Sequence, residues 1–154
     1  MIELEFILSH WTRLGAMFKV PPASKTPDVE RLILETADAI PSDARLFAMT
    51  VSWLIRYHRL VCRHRLAALA GSNGSRESSA VLGYVLTTVG RNAGIDHFNM
   101  AIKMCRPLPK PQPLFATYRR NSALAAIARE QSDPVARDWG FWSPPERFYE
   151  DAIR

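Results

Sequence analysis

The chain has 154 residues, of which 47% are hydrophobic and 23% charged, a composition that fits one globular domain over 1–154 and excludes wholesale disorder. No apolar run approaches the roughly 18 residues of a membrane span, and the start MIELEFIL is acidic where a signal peptide would be basic. We therefore predict a cytoplasmic protein that does not bind membranes. Its two cysteines, Cys62 and Cys105, lie in apolar segments and are predicted to be buried free thiols.

The net charge of +5 is distributed unevenly along the chain. Residues 1–43 carry a net charge of −3, residues 44–120 carry +10, and residues 121–154 carry −2. A basic middle between acidic ends predicts either an anionic partner or ion pairing between the ends and the middle of the same molecule. A solvated basic surface without a partner is the third interpretation.

The first predicted element covers residues 2–18. Its apolar and acidic residues alternate at the start, which fits a short β element near the N-terminus, but its composition favours a helix, which we prefer. A second helix is predicted to begin with Thr26 as its N-cap and Pro27 at its first position. It should end near Pro41.

The longest stretch without proline or glycine is 44–70, which predicts one helix of about 40 Å, capped by Ser42 or Asp43. On a helical wheel, its apolar residues cover more than half of the circumference, so it should lie at the centre of a bundle. His58 and His64 fall on the apolar face and need polar partners there. A narrow stripe on the remaining face consists of Arg45, Arg56, Arg59 and Arg63.

The remaining predicted elements, in chain order, are a flexible loop at 71–78, a helix at 78–89, a turn at 90–94, a short helix at 95–105, an extended proline-rich strut at 106–113 and a helix at 122–131. An aromatic C-terminal tail follows at 134–154. Its Trp139, Phe141 and Trp142 should pack onto the core, and 146–154 should form a closing helix. Together these elements predict an all-α, bundle-like domain of five to seven helices around 44–70.

The arginine stripe is the main candidate site. Guanidinium groups bind phosphate through two parallel hydrogen bonds, and their helical spacing would align them on one face. Aromatic residues beside basic ones suit single-stranded nucleic acid, whose bases stack on the rings. The leading hypothesis is a non-enzymatic nucleic-acid-binding or adaptor module, DNA or RNA, with the following contact residues: Arg45, Arg56, Arg59, Arg63, Arg119 and Arg120. Alternatively, the stripe pairs with acidic residues of the preceding helix, such as Glu30, Glu35 or Asp38.

A second hypothesis comes from the run from Arg91 to His97, in which Arg91 and Asn92 are followed by four residues and His97. This pattern resembles the short motif of HEPN-type ribonucleases, which are small helical, often dimeric domains that cut RNA without a metal ion. The resemblance implies that Arg91 stabilises the phosphate charge and that His97 acts as an acid or base on the 2′-hydroxyl. Asn92 would be their polar neighbour. Gly90 and Gly94 predict that the motif lies in a turn.

Three other interpretations use weaker patterns. Residues 77–106 fit a helix–turn–helix whose second helix, 95–105, would read a DNA groove. A protein–protein interaction module or homodimer would pair acidic ends with a basic partner face. His58 and Cys62, one turn apart, could share a metal ion, but no further ligand motif accompanies them, so no metal and no cofactor are predicted.

Overall fold

The computed structural model of the protein describes residues 4–72 and 74–144. Its helices are α1 (Leu4–Arg13), α2 (Val29–Ala39), α3 (Ala44–Tyr57), α4 (Arg63–Gly71), α5 (Arg76–Ala93), α6 (Asn99–Met104), α7 (Ala116–Arg119), α8 (Ser122–Glu130) and α9 (Pro134–Asp138). Two short strands, β1 (Gln112–Pro113) and β2 (Phe141–Trp142), form a parallel pair. The predicted all-α class is confirmed, and six of these helices have nine residues or more. No helix in this part of the chain is long and apolar enough to cross a membrane.

The preferred helix prediction for the N-terminal segment is confirmed over Leu4–Arg13, so the strand interpretation is wrong for these residues. Trp11 of α1 is fully buried and packs edge-to-face on Trp53, with 5.3 Å between the ring centroids. The indole N–H of Trp11 donates to the Thr36 hydroxyl over 2.8 Å, and that of Trp53 donates to the carbonyl of Leu14 over 3.1 Å. Both tryptophans thus bury their rings while keeping their polar atoms bonded.

The predicted single helix over 44–70 is wrong, because the chain breaks after α3. A 3₁₀ turn at His58–Leu60 follows α3, the backbone of Val61 and Cys62 is extended, and α4 begins at Arg63. The arginine stripe of the helical wheel therefore does not exist as one straight row.

The centre of the bundle is α5 instead, which packs against α2, α3, α6 and α9. Eleven of its 18 residues are buried, including small residues such as Ala80 and Gly83 that allow close approach on several sides. The turn predicted at 90–94 is also wrong, since α5 continues to Ala93. It ends at Gly94, whose φ of +64° places it in the left-handed region that glycine adopts without strain.

The helix starts follow the capping rules, though not always at the predicted residue. Asp43 caps α3 as predicted, accepting a hydrogen bond from the backbone N–H of Arg45. The prediction of Thr26 as the cap of the second helix is wrong, because Asp28 has that role and α2 begins at Val29. The helix predicted over 95–105 is shorter, since α6 begins only at Asn99.

The proline-rich segment 106–113 is extended and is tied to the C-terminal segment. The backbone N–H groups of Leu108, Gln112 and Leu114 donate to the carbonyls of residues 139, 140 and 142 over 3.1–3.2 Å. Pro113 has no N–H to donate, and its place between two donors leaves the pairing complete. Gly140, with a φ of +86°, lies so close to Leu108 that a Cβ atom would come within 2.7–3.0 Å of it.

Two of the three tail aromatics, Trp139 and Phe141, pack onto the core as predicted, whereas Trp142 is half-buried and lies against the Arg129 guanidinium. Phe141 is fully buried, and the indole N–H of Trp139 donates to the Thr87 hydroxyl over 3.0 Å. The Trp139 ring lies directly on Gly83, where an added Cβ would come within 2.3 Å of ring carbon atoms. The helix predicted at 146–154 lies outside the described residues.

The two cysteines differ, which corrects the prediction that both are buried. Cys105 is buried, whereas Cys62 is exposed at the break between α3 and α4. Burial raises the pKa of the Cys105 thiol to about 12.

We expect Gly83→Ala to lower the free energy of unfolding by about 1–3 kcal/mol, because the new methyl group displaces the Trp139 ring. Alanine is more favourable than glycine inside a helix by about 1 kcal/mol. Helix propensity alone would therefore raise the stability, and a loss of stability must come from the clash with Trp139. Urea unfolding followed by tryptophan fluorescence measures it. The matched control is Gly74→Ala, whose Cβ would meet no atom within 4 Å. A Gly83→Ala protein as stable as this control would contradict the packing.

We also expect one thiol of the native protein to react with a disulfide reagent at pH 8, since only the thiolate attacks and Cys105 stays protonated there. Spectroscopic thiol counting should give one fast equivalent in the wild type, none in Cys62→Ser, and two after unfolding. Two fast equivalents in the native protein would show that Cys105 is accessible.

Candidate phosphate-binding surface

The break between α3 and α4 is held by two side chains from distant parts of the chain. In a continuous helix the Cys62 N–H would donate to the His58 carbonyl, four residues earlier. Here the buried carboxylate of Glu30 on α2 accepts that N–H over 2.9 Å. In a continuous helix the Val61 carbonyl would accept from the N–H four residues later. Here it is 2.8 Å from the His97 ring Nε2. The Cys62 N–H and the Val61 carbonyl, two of the backbone groups that the break frees, are therefore satisfied.

The two histidines at the break have defined hydrogen positions. A carbonyl only accepts, so His97 carries a hydrogen on Nε2, bonded to Val61, and His58 carries one on Nδ1, 3.2 Å from the Ile55 carbonyl. Their rings meet edge-to-face, with 5.5 Å between centroids. The prediction that the histidine at position 58 would need a polar partner is confirmed, and the partner is backbone.

The break exposes a group of side chains that we call the basic turn: Arg56, Tyr57, Arg59, Leu60 and Arg63. Leu60 is 69% exposed although it is apolar, and the Arg56 guanidinium lies 5.4 Å from the centre of the Tyr57 ring. None of its three arginines forms an ion pair with a carboxylate of residues 4–72 and 74–144.

The acidic residues proposed as partners for the arginine stripe have other roles. Glu30 bonds the Cys62 backbone, and Asp38 accepts a hydrogen bond of 2.6 Å from the Ser78 hydroxyl. Burial raises the pKa of Glu35, against the smaller opposing effect of Arg31. Among the described residues, none of these carboxylates forms an ion pair with an arginine of the basic turn. The alternative of intramolecular pairing is therefore not seen for these arginines.

Other arginines of the basic middle are paired. Arg45, predicted to be in the stripe, bonds Asp43 at its own helix start, over 2.7 Å. Arg65 bonds Asp28 of α2, and this hydrogen bond lowers the pKa of Asp28.

The arginines predicted near Tyr118 are separate from the basic turn. Arg119 bonds Glu77 over 2.5 Å and also donates to the carbonyls of Pro113 and Leu114 over 2.8 and 3.1 Å. It thereby joins the end of the proline-rich segment to α5. Arg120 follows α7 and is exposed. Of the six predicted contact residues, Arg56, Arg59 and Arg63 lie exposed around the break and have no carboxylate partner among the described residues.

The residues of the ribonuclease hypothesis have different surroundings. Arg91 lies in the last turn of α5, exposed and 3.9 Å from Asp138, and the Asn92 side chain donates to the Thr88 carbonyl. His97 is half-buried at the break, where its Nε2 is bonded to Val61. The geometry gives this histidine a positioning role, and its catalytic role stays a prediction.

Residues 95–105 do not form the recognition helix that the helix–turn–helix interpretation requires. With six residues, α6 is about 9 Å long, fewer than two turns, and Ala101 in its middle is buried. Too little of it is left to lie along a groove.

No protein-family model, no curated protein and no solved structure matches this chain.

We expect Glu30→Ala to lower the free energy of unfolding by about 1–3 kcal/mol, because the Cys62 N–H loses its acceptor. Hydrogen exchange of the Cys62 amide should accelerate with it. Glu30→Gln is the matched variant, since its amide oxygen can still accept, and its loss should be smaller. Equal exchange rates in all three proteins would show that the carboxylate does not hold the break.

Proposed function

We propose that the protein binds nucleic acid and that the guanidinium groups of the basic turn hold its phosphates. The observation that carries the proposal is that Arg56, Arg59 and Arg63 lie exposed within eight residues and pair with no carboxylate of the described chain. Positive charge left without a counterion inside the molecule attracts an anionic partner, and a phosphate backbone releases its own counterions on binding.

The side chains between these arginines support a partner with unpaired bases. Tyr57 offers a partly exposed ring, which also contacts Trp53 and the Arg56 guanidinium, and Leu60 adds apolar surface. Bases stack on exposed aromatic rings largely without regard to sequence, while arginines bind the backbone. We therefore favour single-stranded RNA or DNA over a duplex.

The shape of the break supports the same proposal. Arg59 lies in the 3₁₀ turn and Arg63 begins α4, so extended backbone separates them where a helix would have stacked them. Because Glu30 and His97 bond that backbone, the arginines are presented from a defined loop. A held loop loses less conformational freedom on binding than a mobile one.

We expect Arg59→Ala/Arg63→Ala to weaken binding of a fluorescein-labelled single-stranded RNA of about 20 nucleotides. Each lost phosphate contact should lower the slope of log Kd against log salt by about 0.7, so the double variant should lose about 1.4. Fluorescence anisotropy from about 50 to 200 mM salt measures both quantities. Single- and double-stranded DNA of the same sequence show which form is preferred.

The control is Arg45→Gln, which removes the guanidinium group of an arginine that already pairs with Asp43. Its salt slope should stay near that of the wild type. No binding by the wild type at about 50 mM salt would refute the proposal, as would equal losses in Arg45→Gln and the double variant. Gel analysis of the same RNA after incubation tests the ribonuclease alternative, and light scattering tests the homodimer.

A further inference from the structure

We propose that a second site, a pocket at the start of α5, binds a phosphate group with two negative charges. The pocket has a volume of about 290 Å³ and lies between the end of α4, the first turn of α5 and the end of α6. Three cationic side chains line it: Arg76, Lys103 and Arg106. None of the described residues that line it is acidic. The site is distinct from the basic turn, whose residues do not line it, so this inference goes beyond the proposed function.

Arg76 has one hydrogen bond that favours a particular orientation. Its side chain is exposed, and its Nε–H donates to the Pro107 carbonyl over 3.1 Å. This bond uses one of five N–H donors, and the two terminal nitrogens carry the other four. A planar guanidinium with two terminal nitrogens matches two oxygens of one phosphate.

Arg106 reaches the pocket from a backbone that is fixed to α5. Its backbone N–H donates to the hydroxyl of Ser79 over 2.9 Å, and Ser79 is only 6% exposed. The preceding residue, Cys105, is buried as well. The wall of the pocket between α5 and the segment after α6 is therefore built, and the arginine side chain begins at that wall.

Lys103 completes the set from α6, which packs against α4. Within residues 4–72 and 74–144, none of these three cations forms an ion pair, although carboxylates occur nearby on α5 and α2. Glu77, in the same first turn of α5, is bonded to Arg119, and Asp38 is bonded to Ser78. All three side chains are exposed, and an anion bound among them would gain from positive charge that no described carboxylate neutralises.

The size and walls of the pocket indicate the chemical form of the anion. At about 290 Å³ it lies at the lower end of the range for small-molecule sites, which suits a phosphate with little else attached. A terminal phosphate fits such a cationic site better than one within a strand, because it carries more negative charge. A phosphate monoester carries close to two charges at pH 7, with its second pKa near about 6. The phosphate belongs either to a small phosphorylated molecule or to the terminus of a nucleic acid strand.

The test is isothermal titration calorimetry of the full chain at pH 7.5 with inorganic phosphate, adenosine 5′-monophosphate and adenosine. We expect the first two to bind and adenosine not to bind. Arg76→Gln/Lys103→Gln should weaken binding about tenfold or more, since it removes two charge-assisted contacts. At pH 5.5, where the ligand has lost most of its second charge, binding to the wild type should also be weaker.

The single variant Lys103→Gln keeps the test valid if the double variant unfolds, because the lysine is exposed on α6 and has no described bond to lose. The control is Lys110→Gln, an exposed lysine outside the pocket, which should bind like the wild type. Arg59→Ala/Arg63→Ala should also retain phosphate binding, so failure of one site is distinguishable from failure of the other.

Short oligonucleotides with a 5′-phosphate or a 5′-hydroxyl distinguish the two sources. In Arg59→Ala/Arg63→Ala, a preference for the phosphorylated strand over both the 5′-hydroxyl strand and adenosine 5′-monophosphate assigns the pocket to strand ends, and a preference for the mononucleotide assigns it to a small molecule. No binding of either phosphate ligand, or binding that Lys103→Gln leaves unchanged, would overturn the inference.

Discussion

Two hydrogen bonds to the backbone at Val61 and Cys62 determine how the first half of this protein is arranged. In a continuing helix both groups would bond within the helix, whereas here the Glu30 carboxylate and the His97 ring bond them from other parts of the chain. With them, α4 turns away from the axis of α3 and packs between α2 and α6. The same two bonds hold the break at which Arg59, in the 3₁₀ turn, and Arg63, at the start of α4, are exposed, so they support both the fold and the candidate surface.

The sequence predicted what depends on neighbouring residues and missed what depends on distant ones. The all-α class and the Asp43 cap follow from local composition and were predictable. The break at 58–62 was not, because this stretch contains no proline or glycine, and the bonds that open it come from residues 32 and 36 positions away in the chain. A helical wheel assumes an unbroken axis, so the four-arginine stripe shared the error.

The choice of central helix shows the same limit. The glycine, serine and threonine content of α5 suggests a weak helix, yet these small residues let four other helices approach it closely. In α5, the small residues that lower the helix propensity are the ones that allow tight packing. The charges show the same limit. The basic middle can be read from the sequence, but which of its arginines form ion pairs cannot. Arg45 is neutralised two residues away, and Arg119 by a glutamate 42 positions earlier.

The contact between Gly83 and Trp139 has a consequence for synthesis of the chain. The ribosome delivers α5 well before the tryptophan that covers it, and 56 residues separate the two positions. At about 5–20 residues per second, Trp139 is synthesised roughly 3 to 11 seconds after Gly83. During translation, the surface of α5 around Gly83 therefore stays uncovered until Trp139 is synthesised.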